Sequence, residues 1–282
     1  MLSILFGLGA SLGWGAGDYT GGLASRKIGA YRTVFYGEII GILAILIVAV
    51  VIVGEPLPAG RAVIMASLAG TLGTIGLLML YHSMTLGLMS IATSVSALLA
   101  AALPVAFGMF SEGLPSLTTI LGFVFALFAV WMISKSNGGM ADTLRVAHFA
   151  DLKLPLLAGI GFGFYFIFMN EAAKTSTFWP MVVSRTCGLI LTAIFMLFRR
   201  ISLKVEAGTW TTLILNGLFD VSGNAFFIVA TQTGRLDVAA ILGSLYPGGT
   251  VLLAWIFLRE RLSRNQWIGI FAALIAIVLL TI

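Results

Sequence analysis

Cysteine and charged residues are both scarce in this 282-residue chain, and each scarcity excludes a class of protein. Cys187 is the only cysteine, which excludes an internal disulfide and a metal site built on several cysteines. Charged residues make up 10% of the chain, whereas soluble domains carry about 25%. Because so little polar surface is available to face water, the composition excludes a soluble protein.

Apolar residues are what the chain has in abundance, at 60% with a mean hydropathy of +1.08. Apolar runs recur from end to end, each near the ~20 residues that a helix needs to cross a bilayer. They predict an all-α polytopic membrane protein with ten transmembrane helices. The expected spans are 2–24, 33–53, 62–82, 88–110, 116–134, 154–173, 178–198, 209–231, 236–258 and 265–282. The first run lacks a basic leader and a small-residue cleavage site, so we expect a retained span and not a signal peptide.

The basic residues between these spans are distributed unevenly. Three Lys or Arg follow each of helices 1, 5, 7 and 9, which gives 12 on one side of the bilayer against three on the other. Cytoplasmic loops carry the excess of Lys and Arg, so both termini are predicted to lie outside. One span more or fewer would destroy this distribution, which therefore also favours ten.

The ten helices divide into two sets of five. The expected units are a first repeat at 1–137, a cytoplasmic linker at 138–151 and a second repeat at 152–282. An odd number of helices in each repeat inverts the second one, and the basic excess reverses between the halves as inversion requires. At an offset of 147 residues, Gly70 matches Gly217 and Gly76 matches Gly223. Inverted repeats are typical of secondary transporters, whose binding site lies near the membrane midplane.

Each half closes with an apolar helix, a short loop holding an acid and a final helix bearing glycine. The loops are "FSEGLPS" with Glu112 and "FLRERLS" with Glu260. Together with "FLRERLSRNQWIGIFAALIAIVLL" at 257–280 and "GWGAGDYTGGLASRK" at 13–27, this pattern resembles EamA-type transporters of the drug/metabolite transporter superfamily. The resemblance implies a ten-helix carrier that typically exports small metabolites such as amino acids, often by proton exchange.

A polar stripe runs along the eighth span. Asn216, Asp220 and Asn224 are spaced by four and share one helical face. An ionisable group at this depth costs at least ~2.5–3.5 kcal/mol, so it lines a cavity or contacts a neighbouring helix. Asp220 is our first candidate for binding or coupling, and a structural clasp between helices is the alternative.

Glu38 and Arg185 occupy equivalent places in spans two and seven, again at offset 147. Inversion predicts roughly 10 Å of depth between them, so a direct bridge would need tilt or a closed state. Arg185 is a candidate for holding a substrate carboxylate and Glu38 for carrying a proton. Separate partners among backbone carbonyls and hydroxyls are the alternative.

The segment "GWGAGDYTGG" at 13–22 places glycines at every fourth position of the first span. Small residues at that spacing allow close approach of two helices in lipid, so we expect this glycine face to pack or slide against a neighbour. Trp14 and Asp18 lie one turn apart beside it and are candidates for facing the pathway. The alternative is that Asp18 caps the helix or pairs with Arg26 or Lys27.

Three further residues are weaker candidates. Tyr165 lies in the glycine-rich sixth span, although aromatic residues are more often packing or interface anchors. Tyr246 lies in "GSLYPGG", which together with Pro104 is expected to interrupt helices near the core, where a cavity tolerates broken backbone. His82 suits proton coupling by its ordinary titration range, with an interfacial position as the favoured alternative.

These features predict a secondary active transporter, in the first place an exporter of small metabolites such as amino acids or amphipathic compounds. It would work by alternating access, driven by protons or another gradient. The alternatives are a carrier without ion coupling and a membrane-embedded lipid-modifying enzyme, for which the acids and the two histidines form no convincing cluster. The expected partners are a small-molecule substrate, protons and lipids, with no nucleic acid, no metal and no cofactor. We expect a monomer or homodimer in a bacterial or archaeal cell membrane.

Overall fold

A computed structural model describes residues 1–55, 57–58, 60–86, 89–111, 113–133, 149–258 and 263–281 of the chain. All regular structure in these ranges is helical, and it forms ten helices. They are α1 (Leu2–Ile28), α2 (Ala30–Ile47), α3 (Gly60–Thr85), α4 (Met89–Ser111), α5 (Leu117–Ile133), α6 (Phe149–Ala172), α7 (Trp179–Phe198), α8 (Trp210–Gln232), α9 in two segments (Leu236–Gly243 and Tyr246–Leu258) and α10 (Arg264–Thr281). Glu112, Glu260 and residues 138–148 of the predicted linker lie outside the described residues.

The helices follow the predicted spans to within a few residues, with two differences in detail. A π-helical turn at Val48–Val53 extends α2. Pro104 lies inside α4 and does not end it, so the expected interruption there is wrong. A proline removes one backbone donor, and helices in membranes tolerate that loss where neighbouring groups compensate. The second expected interruption is confirmed, because α9 breaks at Ser244 and Leu245.

The surface of the described chain suits lipid and not water. Six helices, α2, α3, α6, α7, α8 and α10, are long and apolar enough to cross a membrane. Large apolar side chains project outward along the helices, including Phe110 and Phe198, which are 93% and 82% exposed. The buried interior is rich in alanine instead, as expected where helices associate through close packing. The chain is therefore an integral, multi-pass membrane protein.

Helix α1 packs along α8 through the predicted glycine stripe, Gly9, Gly13, Gly17 and Gly21. A side chain at Gly13 would meet the backbone of Gly223, and one at Gly17 would lie against the backbone of Asp220. From one contact to the next, the residue numbers rise along α1 and fall along α8. The two helices are therefore antiparallel. Close packing of this face is thus confirmed, whereas sliding stays a prediction.

The contacts between the two halves are reciprocal at the offset of 147 residues. Gly70 on α3 lies against Ser184 of α7, and its counterpart Gly217 on α8 lies against Gly37 of α2, the counterpart of Ser184. At the level of whole helices, α1 packs on α8 as α6 packs on α3. A twofold relation between the halves produces this kind of exchange.

The last helix of each half shows the direction of that twofold axis. Gly122 of α5 meets Ala276 of α10, while Gly269 of α10 meets Ala129 of α5. Since 122 and 129 correspond to 269 and 276, these helices are antiparallel and equivalent. An axis that relates antiparallel membrane helices lies in the plane of the membrane, which is the geometry of an inverted repeat.

A buried turn joins the two halves at one end of the bundle. Glu55, after α2, accepts hydrogen bonds from the Ser176 hydroxyl at 2.7 Å and from the backbone N–H groups of Thr177 and Phe178 at 3.0 and 2.9 Å. The indole N–H of Trp179 donates to the Glu55 carbonyl oxygen at 2.8 Å. Burial acts to raise the pKa of Glu55, but these hydrogen bonds outweigh it and hold the pKa below its ordinary 4.5. A carboxylate from the first half therefore caps the start of α7 in the second.

We expect Gly13→Ala to lower the unfolding temperature by several degrees. The new methyl group would lie 2.8 Å from the backbone of Gly223, and overpacking of this kind costs about 1–3 kcal/mol. Reaction of the Cys187 thiol with a maleimide dye during heating measures unfolding. Gly208→Ala is the matched control, because an added methyl group meets nothing within 4 Å there. Equal melting of the two variants would contradict the packing described.

We expect the stability of the Glu55→Gln variant to change less than that of the wild type as the pH is lowered. The carboxylate stabilises the fold above its unfolded pKa, and this stabilisation is lost as pH falls through the lower folded pKa. Unfolding temperatures measured from about pH 6 down to about pH 3.5 should converge for the two proteins at the acid end. Glu206→Gln is the control, since that carboxylate forms no hydrogen bond within the described ranges. A constant gap at every pH would show that Glu55 does not act through its charge.

Candidate functional site

The site is a cavity between the halves, with walls from α1, α2, α3, α6, α7, α8 and α9. Its described lining comprises Trp14, Asp18, Glu38, Gly70, Gly73, Thr74, Leu77, Phe162, Tyr165, Phe166, Met181, Ser184, Arg185, Asp220, Asn224 and Tyr246. Eight of the ten residues predicted from the sequence are among these. Asn216 and His82 are the two that are not.

Arg185 on α7 is the centre of the site. Its guanidinium group donates to the carboxylate of Glu38 on α2 at 3.1 Å and to that of Asp220 on α8 at 2.5 Å. The side chains of Arg185 and Glu38 are 6% and 8% exposed, while that of Asp220 is 23% exposed. The Glu38 carboxylate also accepts a hydrogen bond from Thr74 at 3.1 Å. One cation thus joins two acids from opposite halves of the chain.

The direct bridge between Glu38 and Arg185 corrects the expectation that about 10 Å of depth separates the two groups. Two glycines explain the approach. The guanidinium group lies against Gly41 of α2, where any side chain would displace it. The Glu38 carboxylate lies against Gly188 of α7 in the same way. Because Gly41 and Gly188 are themselves equivalent at offset 147, each charged group occupies the space that a glycine leaves on its partner's helix.

Asn224 extends this network to the aromatic wall of the cavity. Its side-chain oxygen accepts hydrogen bonds from the indole N–H of Trp14 at 3.1 Å and from the Tyr165 hydroxyl at 2.9 Å. Its amide donates to Asp220 at 3.5 Å, a long contact. Phe166 stacks on Trp14 with ring centroids 5.2 Å apart. The polar chain and the aromatic surface therefore meet at Asn224.

Asp18 is the acid of the site that lacks a partner. It is 8% exposed and lines the cavity, yet within the described chain its carboxylate has neither a hydrogen bond nor an ion pair. Helix α1 continues beyond it to Ile28, so Asp18 is not a helix cap. The alternative pairing with Arg26 or Lys27 is also wrong. Asp18 faces the cavity, as the first interpretation of "GWGAGDYTGG" expects.

Asn216 lies on the polar face of α8 but serves as a clasp between helices. Its amide donates to the backbone oxygen of Gly17 and to the hydroxyl of Tyr81, both at 2.9 Å. His82 follows Tyr81 in α3, but its side chain is exposed and lies away from the cavity. The proposed coupling role of His82 is therefore not supported by its position, whereas its fully buried neighbour Tyr81 joins α3 to α1 and α8.

Tyr246 lies directly after the break in α9 and reaches across to α4. Its hydroxyl bonds to that of Ser96 at 2.8 Å and donates to the Thr93 carbonyl oxygen at 3.1 Å. The Thr250 hydroxyl, one turn later, donates to the Gly15 carbonyl oxygen at 3.0 Å. Broken backbone thus coincides with polar contacts to α4 and to α1, as the sequence predicts for this segment.

Sequence reasoning missed several uncharged residues of the lining, among them Thr74, Ser184, Phe162 and Phe166. Thr74 and Ser184 are single hydroxyl residues in apolar helices, and such residues usually bond to their own backbone. Phe162 and Phe166 stand one turn apart in α6, beside the predicted Tyr165, and a helical spacing check around Tyr165 would have found both.

The arrangement is suited to binding a small molecule. Within the described residues, no three His, Cys, Asp or Glu side chains are placed to hold a metal ion. The cavity instead offers carboxylates, one shared guanidinium group and aromatic faces. Groups of these kinds can hold a small amphipathic molecule through charge and stacking.

We expect Arg185→Gln to be strongly destabilised, because it leaves two buried carboxylates without their cation. Breaking a buried ion pair by removing one partner costs about 3–5 kcal/mol. Dye labelling of Cys187 during heating measures the loss. The triple variant Glu38→Gln, Arg185→Gln, Asp220→Asn should recover a large part of it. If the single and triple variants melt alike, the charges do not stabilise the fold through one another.

Comparison with known proteins identifies the second half of the chain. Residues 151–282 match the model of the EamA-like transporter family. An uncharacterized protein of Methanocaldococcus jannaschii is 28% identical over 129 residues, which are 46% of this chain and 94% of that relative.

A likeness of fold covers the whole chain. A protein of known crystal structure superposes with a TM-score of 0.80 at 17% identity, over 99% of this chain and 98% of the other. At that identity the likeness shows the fold alone. The family is one of membrane transporters, which favours transport over the enzymatic alternative. The second half of the chain, residues 151–282, is thus an EamA-like transporter domain.

Proposed function

We propose that the chain is a secondary active transporter that exports small amphipathic metabolites, the class that includes amino acids, by proton exchange and alternating access. It would reside in a bacterial or archaeal cell membrane with both termini outside. The distribution of basic residues supports this orientation, and the family supports transport of small molecules.

The observation that carries the proposal is the ion-pair network inside the cavity. Arg185 joins α7 to α2 and α8, and Asn224 joins α8 to α1 and α6. A substrate that competes for these groups would loosen contacts between the two halves. Binding and rearrangement of the halves would therefore be coupled through the same side chains.

The twofold relation supports alternating access. When two equivalent halves pack asymmetrically, exchange of their conformations opens the opposite side of the cavity. The close glycine contacts of α1 with α8 and of α3 with α6 let these helices move as pairs. The fixed site between them would then be exposed to each side in turn.

Glu38 and Asp220 are the proposed proton carriers. Each shares Arg185, so protonation of either acid weakens one arm of the network and leaves the other in place. Asp220 is the more exposed of the two and the better placed to exchange protons with water in the cavity.

We expect Asp220→Asn to reduce transport at least tenfold while the protein remains folded. The variant keeps the pair of Arg185 with Glu38, one cation with one acid, so no buried charge loses its partner. The assay uses liposomes that contain the purified protein and a mixture of amino acids and other small metabolites, with mass spectrometry of what is released. Imposing a pH gradient tests coupling, since release indifferent to the gradient would indicate an uncoupled carrier.

Glu171→Gln is the matched control, because Glu171 pairs with Arg61 and Lys174 away from the cavity. Selective release that continues unchanged in Asp220→Asn would contradict the role of this acid. No selective release from the folded wild type would argue against export of this class of compound.

A further inference from the structure

The charges of the cavity do not balance. Arg185 is the one basic side chain among its described lining residues, whereas Asp18, Glu38 and Asp220 are acids. Arg185 is shared by Glu38 and Asp220. Asp18 is left buried and unpaired, an arrangement that is costly unless a cation or proton joins it.

The charge of Arg185 is already shared by two carboxylates. Its two terminal nitrogens bond to Glu38 and Asp220. Its Nε atom is buried and forms no hydrogen bond within the described chain, but this edge of the group lies against Gly41 of α2. A substrate carboxylate held by Arg185, as the sequence suggested, would therefore be a third acid on one cation.

Aromatic rings surround the unbalanced charge. Trp14 lies one turn from Asp18 on α1, and Phe162, Tyr165 and Phe166 line the same cavity from α6. The Trp14 ring stacks on Phe166 and is held in orientation by its hydrogen bond to Asn224. Aromatic faces attract organic cations, and the attraction is stronger where water is excluded.

We propose that this cavity binds an organic ammonium ion with an apolar body and no carboxylate, and that Asp18 is its counter-ion. The proposal rests on the proposed transport function and narrows its substrate class to amines. A metal ion is disfavoured because the described acids do not form a cluster of metal-binding geometry. The ammonium group would donate to Asp18, and the apolar body would lie along the rings of α6.

The same geometry excludes amino acids as preferred ligands. A zwitterion places its carboxylate within a few ångströms of its ammonium group. That carboxylate would face three acids and one guanidinium group whose charge two of those acids already share. Burying that carboxylate unpaired would offset what the ammonium group gains. Adding a carboxylate to a ligand should therefore lower its affinity for the cavity more than removing the amine does.

The test uses four compounds of one shape: 2-phenylethylammonium, 2-phenylethanol, phenylalanine and 3-phenylpropionate. Calorimetric titration of the purified protein near neutral pH measures their affinities. We expect the ammonium ion to bind about tenfold or more tightly than the alcohol, the scale of a hydrogen bond between charged groups. Phenylalanine and phenylpropionate should bind no better than the alcohol. Tighter binding of either carboxylate compound overturns the proposal, and this ranking needs no variant.

Asp18→Asn should remove the preference for the ammonium ion over the alcohol. Glu171→Gln should keep the preference, because it removes an acid far from the cavity. Partition into detergent is the same for all variants, so it cancels in the comparison. An undiminished preference in a folded Asp18→Asn protein overturns the assignment of the counter-ion.

Binding is measured without transport, so the two proposals fail separately. An Asp18-dependent preference for the amine with no release from liposomes would contradict the transport proposal and support the substrate class. Tight binding and release of phenylalanine would support the transport proposal and contradict the substrate class.

Discussion

The sharing of one guanidinium group by two carboxylates is the interaction on which the rest of the site depends. Arg185 ties α7 to α2 and to α8, and with them the two halves of the chain. The pair with Glu38 is possible only because Gly41 and Gly188 leave the space that both groups need. In a low-dielectric interior such a network holds its geometry firmly, and it comes apart when one charge is neutralised or displaced. Stability and response to a ligand thus depend on the same few atoms.

The backbone of the two halves is equivalent around this centre, but the side chains are not. Asp220 lies over Gly17, whereas at the equivalent place Tyr165 lies over Gly73. The second half therefore supplies both a carboxylate and a phenol to the cavity, while the first half supplies a glycine at each contact. The symmetry of the fold provides two similar packing arrangements, and the difference in side chains makes the cavity chemically directional.

Much of the fold follows from the sequence because lipid imposes simple rules. The apolar runs fix nearly all helix boundaries, and the glycine stripe of α1 does pack on a neighbour. Position along a helix also identifies Asp18, Asp220 and Arg185 as residues that need a special environment. Position along a helix does not show how far a side chain extends toward a neighbouring helix. For that reason a direct bridge between Glu38 and Arg185 was not expected. The role of Asn216 depends on Tyr81, a partner distant in sequence, and Pro104 shows that local propensity yields to packing.

The reciprocal contacts of α5 and α10 have a consequence for the origin of such a bundle. Gly122 and Ala129 form one surface, and Gly269 and Ala276 form its equivalent, so each surface is complementary to a copy of itself. A unit of half this length would therefore carry one surface that is complementary to an identical molecule in the opposite orientation. The Methanocaldococcus jannaschii relative is matched over nearly all of its length by under half of this chain. Fusion of two such units would preserve the joint and free each half to change its side chains independently.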